Sequence, residues 1–218
     1  MGTRERYEKK LKELELKLVN MCKVVEKSIE LSIIALKNKD RTLARQVYEN
    51  DRAVDDLEHD LEQSCLNILL MESPVAGDFK EVSAILKMIT DLERIGDQSA
   101  DICHLVLSFE DEDYIKELKH IPLMAEVAES MVKDSIHAYV TKDATLLAEI
   151  IKRDDEVDAL FEEIKAELID YIKRDANNAN QSILFMMIAK YLERIGDHAT
   201  NICEWTEYCI SGNRRNTN

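Results

Sequence analysis

The sequence predicts an all-α fold: a tandem duplication of an elongated three-helix bundle, with six long antiparallel helices. Three observations carry this. The 218 residues hold only 5 Gly and 2 Pro, too few turn formers for a sandwich or barrel. Apolar residues recur at helical spacing, as in Leu92, Ile95, Ser99, Ile102, Cys103 and Val106. Finally, one block of the chain is written twice. A 45% hydrophobic content is high enough for a core and excludes a disordered acidic chain.

The repeat sets the organisation. Leu92-Glu93-Arg94-Ile95-Gly96-Asp97 recurs letter for letter as Leu192-Glu193-Arg194-Ile195-Gly196-Asp197, and Ile102-Cys103 recurs as Ile202-Cys203. Upstream, Lys39-Asp40-x-Thr42-Leu43 answers Lys142-Asp143-x-Thr145-Leu146, and Asp51-x-x-Val54-Asp55-x-Leu57 answers Asp154-x-x-Val157-Asp158-x-Leu160. The offset shifts from 103 to 100 residues, a length change that belongs in a turn, near 73–77 in one copy and 175–178 in the other. We therefore expect one bundle over 1–112 and a second over 113–218.

Each helix follows from local signals. The first is expected over 4–38, closed by a tight turn at Asn38-Lys39-Asp40, with Asp40 as N-cap of a helix over 41–72. Pro74 stands where a helix can begin but not continue, which opens the third over 75–109. The join falls near 110–121, and Pro122 opens the fourth helix, 122–141. Thr141-Lys142-Asp143 repeats the tight turn, with Asp143 capping a fifth helix over 144–175. The sixth runs over 179–210. A helix of about 33 residues is about 50 Å long, and short loops place neighbours antiparallel.

Charge removes further classes. Lys plus Arg total 29 against 44 Asp plus Glu, a net charge of −15 with no basic stripe, so no nucleic-acid partner is expected. The first 18 residues alternate charges and do not resemble a signal peptide. No apolar stretch reaches membrane-spanning length. Five Cys with no tight spacing favour free thiols and a cytoplasmic setting. A glycine-rich phosphate loop, a nucleophile elbow and a Cys-x-x-Cys pair are all missing, so no catalytic residue is assigned from these motifs.

Chemistry concentrates in paired carboxylates. Glu93 and Asp97 stand four apart on one helix face, with Asp101 a turn further on. Glu193 and Asp197 repeat the pair, with Asn201 in place of Asp101. On the preceding helices Asp51 and Asp55, then Asp154 and Asp158, have the same spacing, and Glu58 and Glu62 lengthen the first row. Such like-charge pairs cost a few tenths of a kcal/mol each in an isolated helix, and a cation reverses the sign. All-oxygen ligands suit magnesium, manganese, calcium or iron better than a structural zinc. On a helical wheel these acids face away from the apolar stripe, so a surface site spanning two helices is expected. The competing reading is a solvated acidic face paired by Arg94 or Arg194. Gly96 and Gly196 interrupt helix interiors at a cost of about 1 kcal/mol, which points to close approach of a neighbouring helix. His198 reads as a surface histidine more than a ligand; Cys103, Cys203, Trp205 and Met186-Met187 read as packing.

At these residues the chain resembles the PhoU family. The doubled Leu-Glu-Arg-Ile-Gly-Asp, the Asp-x-x-x-Asp pairs and Pro74-Val75-Ala76-Gly77-Asp78 are similar to that family's motifs. The resemblance implies two three-helix bundles carrying multinuclear metal clusters, iron foremost, with zinc, manganese or magnesium as alternatives. Carried over, the ligands are Asp51, Asp55, Glu93 and Asp97, then Asp154, Asp158, Glu193 and Asp197, with Asp101 as an added ligand where the family usually has Asn. Phe79-Lys80 departs from the family's commoner Leu-Arg. The role implied is non-catalytic: a cytoplasmic negative regulator of the phosphate-starvation response and of phosphate uptake. It would link a phosphate ABC transporter to a sensor histidine kinase, peripheral to the membrane through those partners and expected as a homodimer. A ferritin-like di-metal oxidoreductase and a passive helical bundle are the alternatives. Ferritin-like sites use inward Glu-x-x-His, whereas here Gly96 and Gly196 take the His position.

Overall fold

The computed structural model describes residues 3–71, 75–110 and 113–211, and helices are the regular structure found among them. The elements are α1 (Thr3–Asn38), α2 (Arg41–Glu49), α3 (Arg52–Met71), α4 (Ala76–Ser108), α5 (His120–Thr141), α6 (Ala144–Arg174), a short 3-10 turn (Ala176–Asn178) and α7 (Ala179–Ser211). No described helix is long and apolar enough to cross a membrane. The anticipated turn at Ser73-Pro74 lies outside the described residues.

The two tight turns form as their residues dictate. Asp40 Oδ1 accepts from Leu43 N at 2.9 Å, and Asp143 Oδ1 accepts from Thr145 N and Leu146 N at 2.9 and 3.1 Å. Immediately before each cap, Lys39 and Lys142 reverse the chain at φ 53° and 56°, the left-handed conformation that closes the preceding helix.

The helix expected over 41–72 is instead two. Asn50 N donates to Gln46 O and Val47 O, and the next bonds tighten to Ala53 N–Asn50 O and Val54 N–Asp51 O at 2.9 and 2.8 Å. Asn favours caps and turns over helix interiors, so the rod breaks at 50–51. Asp51 then stands immediately ahead of α3, with Asp55 in its first turn. The corresponding α6 runs unbroken through Asp154 and Asp158.

Packing joins the copies side by side. α4 packs against α7 more extensively than any other pair, and α1 against α5, while α2 and α3 flank α1 and α4, and α6 flanks α5 and α7. The α4–α7 pair is antiparallel: Lys80 Nζ sits 4.5 Å from the Tyr208 ring, Asp91 meets His198, and Phe109 stacks on Phe185 at 4.8 Å. One apolar core runs through both copies and includes Leu92, Ile95, Cys103, Leu192, Ile195 and Cys203. All five cysteines are free thiols, four of them buried. Trp205 and Met186 pack against this core, but Met187 is exposed.

Residues 109–119 between the copies are helix-free where described, yet tied down. Tyr114 donates its hydroxyl to Leu36 O at 2.8 Å and stacks edge-on with Phe109 and Phe185. The Gln181 amide closes on Ile115 N and Asp113 O, both at 3.1 Å.

Candidate metal centre

The glycines explain how the acidic rows meet. A Cβ on Gly96 would lie 3.0 Å from Val54 Cγ1, and one on Gly196 would lie 3.1 Å from Asp154 Oδ1 and 3.4 Å from Val157 Cγ1. Close approach is therefore the reason for both, with neighbouring side chains rather than backbone filling the space. Val54 and Asp154 belong to the helices that carry the opposing acids. Seating them against bare backbone draws the rows together.

In the first copy, carboxylate oxygens of Asp51, Asp55 and Asp97 lie within 4.8 Å of one another. Glu93 stands one turn before Asp97, its side chain only 16% exposed. Arg94 pairs with both acids of its helix, at 3.4 Å from Glu93 Oε2 and 3.2 Å from Asp97 Oδ2. Even so, Glu93 Oε2 is shielded from solvent and accepts no hydrogen bond. An open depression lined by Tyr48, Glu49, Asp51, Arg52 and Asp55 gives access from outside.

The electrostatics record the crowding. Burial, then the charges of Asp97, Asp55 and Asp101, push the Asp51 carboxyl up to about 6. Burial and the Asp97 charge push Glu93 up to about 7, against the opposing pull of Arg94. Asp97 is raised as well, chiefly by burial. In the second copy burial and then Asp197 and Asp158 bring Asp154 to about 6, and Asp158 and Asp197 are raised mainly by burial. Asp51, Glu93 and Asp97 answer Asp154, Glu193 and Asp197, and the crowding falls on corresponding rows.

The copies are not identical. Glu193, 17% exposed, is paired with Lys190 one turn earlier, where the first copy has Thr90. Asp101 lies close enough for its charge to raise both Asp51 and Asp97, and it also faces α7. Burial and then the Asp101 charge push the Tyr191 phenol up. Its counterpart Asn201 makes the matching contact, donating at 3.3 Å to Asp91, the residue that answers Tyr191. His198 also pairs with Asp91, at 2.9 Å, and its charge pulls against the rise of Asp197 beside it.

The wheel placed all these acids outward. Asp55, Asp158 and Asp197 are the more open, but Asp51, Glu93, Asp97, Asp101, Asp154 and Glu193 are half-buried, because the flanking helix covers a face that a lone helix leaves open. Lys190 was missed from sequence, although its three-residue spacing to Glu193 signals an ion pair. The Asp91–His198 contact crosses between copies and leaves no local signature.

The residues fit a hard cation. The donors are carboxylates with no thiolate, three of them converge, and one buried oxygen lacks a hydrogen bond. When bound, such an ion supplies positive charge that cancels the repulsion between the rows.

The PhoU domain family model matches residues 18–106 and again 121–206. The chain belongs to the PhoU family. Among PhoU relatives it is 36% identical to a phosphate-specific transport system accessory protein PhoU homolog of Clostridium acetobutylicum, over 99% of both chains. It is 34% identical to the Borreliella burgdorferi homolog of the same description, over 98% of both. The crystal structure of PhoU from Pseudomonas aeruginosa superposes with a TM-score of 0.90 at 28% identity, covering 95% of this chain and 100% of that one. The phosphate transport system regulatory protein PhoU from Streptococcus pneumoniae gives 0.90 at 25% identity, covering 96% and 99%. These PhoU structures are close neighbours in fold, in keeping with the all-α architecture expected from the repeat.

Proposed function

We propose that this protein is an accessory component of a phosphate-specific transport system, acting as a metal-clamped helical adaptor rather than as an enzyme. Full-length similarity to relatives described as accessory proteins of such a system supports the setting. In this reading it is a cytoplasmic negative regulator of phosphate uptake and of the starvation response, bridging a phosphate ABC transporter and a sensor histidine kinase. Homodimerisation and iron as the resident ion, with zinc, manganese or magnesium as alternatives, belong to the same proposal.

The observation that carries the metal assignment is the convergence of Asp51, Asp55 and Asp97 beside a hydrogen-bond-free Glu93 oxygen, with corresponding acids crowded in the second copy. Asp51, Asp55, Glu93 and Asp97, with Asp101 beside them, hold the first cluster; Asp154, Asp158, Glu193 and Asp197 hold the second. In the first copy the helices bring carboxylate oxygens of Asp51, Asp55 and Asp97 within 4.8 Å of one another, an anionic seat between α3 and α4. A ferritin-like oxidase gains no support, since among the described residues no histidine joins the Asp51, Asp55 and Asp97 group.

The test is elemental analysis of the purified protein beside an Asp97→Asn, Asp197→Asn double variant. We expect several metal ions per chain to fall by at least half in the variant, and phosphate uptake to rise in cells carrying it as their sole copy. Unchanged metal content would overturn the ligand assignment. Metal loss with unchanged uptake would overturn the regulatory link.

A further inference from the structure

We propose that His120, Glu163 and Glu167 form a separate site for one divalent transition ion of the zinc class, at the seam where the linker 109–119 meets α6. One donor atom from each residue lies within 4.8 Å of the others. His120 is the first residue of α5, and Glu163 and Glu167 stand four apart on one face of α6.

The details favour ion ligation over a simple ion pair. His120 Nδ1 lies 2.8 Å from Glu167 Oε1, yet it is shielded from solvent and makes no hydrogen bond, so the carboxylate sits off the nitrogen's bonding direction. A nitrogen and an oxygen held side by side in this way are placed as two donors to a common centre. Glu163 Oε1 lies 3.7 Å from the ring's other nitrogen, Nε2, so one ion at Nδ1 requires this carboxylate, 56% exposed, to swing across the ring edge. Glu167 divides its two oxygens: Oε2 takes the ammonium of Lys116, and Oε1 faces the imidazole. Lys116 is the more telling partner, since its side chain is only 5% exposed. A lysine buried in a linker to fix one carboxylate oxygen leaves the other oriented, which is the supporting role that outer partners play around metal ligands.

One imidazole with two carboxylates is a poor set for magnesium or calcium, which take oxygen alone, and a good one for zinc and its neighbours. Three protein donors leave a further position for water. The site shares no residue with the Asp51, Asp55 and Asp97 group, and Lys116 and His120 fall between the two stretches that the family model matches. Its effect would be to staple the linker, and with it the start of α5, onto α6.

The experiment uses the full chain with both rows disabled (Asp51→Asn, Asp97→Asn, Asp154→Asn, Asp197→Asn) and zinc ion alone as the probe. Calorimetry should find one zinc per chain, weakened at least tenfold by His120→Gln and likewise by Glu163→Gln, whose exposed position makes it safe for folding. In the NMR spectrum zinc should shift the His120 imidazole resonances and leave those of the other four histidines in place. No zinc uptake by the row-disabled protein, or uptake indifferent to His120→Gln, overturns the proposal. Failure of the carboxylate-row reading looks different: the row substitutions would then leave total metal content unchanged while His120→Gln removed it.

Discussion

At the scale of single residues, Gly96 decides how near the two first-copy rows can come. Adding a methyl there gains helix propensity of up to about 1 kcal/mol but drives Cβ to 3.0 Å from a stiff, β-branched Val54. Overpacking of this kind costs about 1–3 kcal/mol. Gly96→Ala should therefore lower Tm by a few degrees, and Gly96→Ala in a Val54→Ala background should raise it relative to Val54→Ala alone. Thermal unfolding of the four proteins checks the reversal. The glycine was readable in the sequence because the same costly choice appears in both copies. Its neighbour was not, because the contact joins residues 42 positions apart.

At the scale of elements, the two inter-helix turns were legible in full, as Asp40 and Asp143 sit where caps belong and their carboxylates take the expected amides. Asp143 caps two amides where Asp40 caps one. Loss of an N-cap costs about 0.5–2 kcal/mol, and for a chain of this size each kcal/mol lowers Tm by about 2–4 °C. Asp143→Ala should thus lower Tm by several degrees, and by more than Asp40→Ala does; a calorimetric scan of each separates them. The break at Asn50 was not legible. Apolar periodicity continues across it, through Val47 and Val54, and a tightened turn of one residue leaves that pattern intact. Nor did the wheel foresee half-burial of Glu93 and Glu193, for it describes one helix and the covering helix comes from elsewhere in the chain.

At the scale of the whole molecule, the raised carboxyls make stability depend on pH in an unusual direction. Asp51, Glu93 and Asp154 titrate near 6, 7 and 6 in the fold, against about 4 in an unfolded chain. Above pH 7 both states are ionised and the folded state bears the full cost of burying these charges and of their mutual repulsion. As pH falls from about 7 toward 4 the folded state takes up protons first, so stability rises, and the gain is complete once the unfolded carboxyls also protonate. Stripped of metal, the protein should show a Tm higher by a few degrees at pH 5 than at pH 8, and manganese at pH 8 should produce a comparable rise. A combined Asp51→Asn, Glu93→Gln, Asp154→Asn variant should flatten the pH response. The ladder between α4 and α7 carries a further consequence. Its contacts, from Lys80–Tyr208 through Asp91–His198 to Phe109–Phe185, centre close to Ile95-Gly96 on one helix and Ile195-Gly196 on the other. A local dyad therefore passes through the repeated hexapeptide, normal to the plane of the two helices. Rotation about such an axis carries Glu93 toward Glu193 and Asp97 toward Asp197, so the two acidic rows are related by the same operation that pairs α4 with α7.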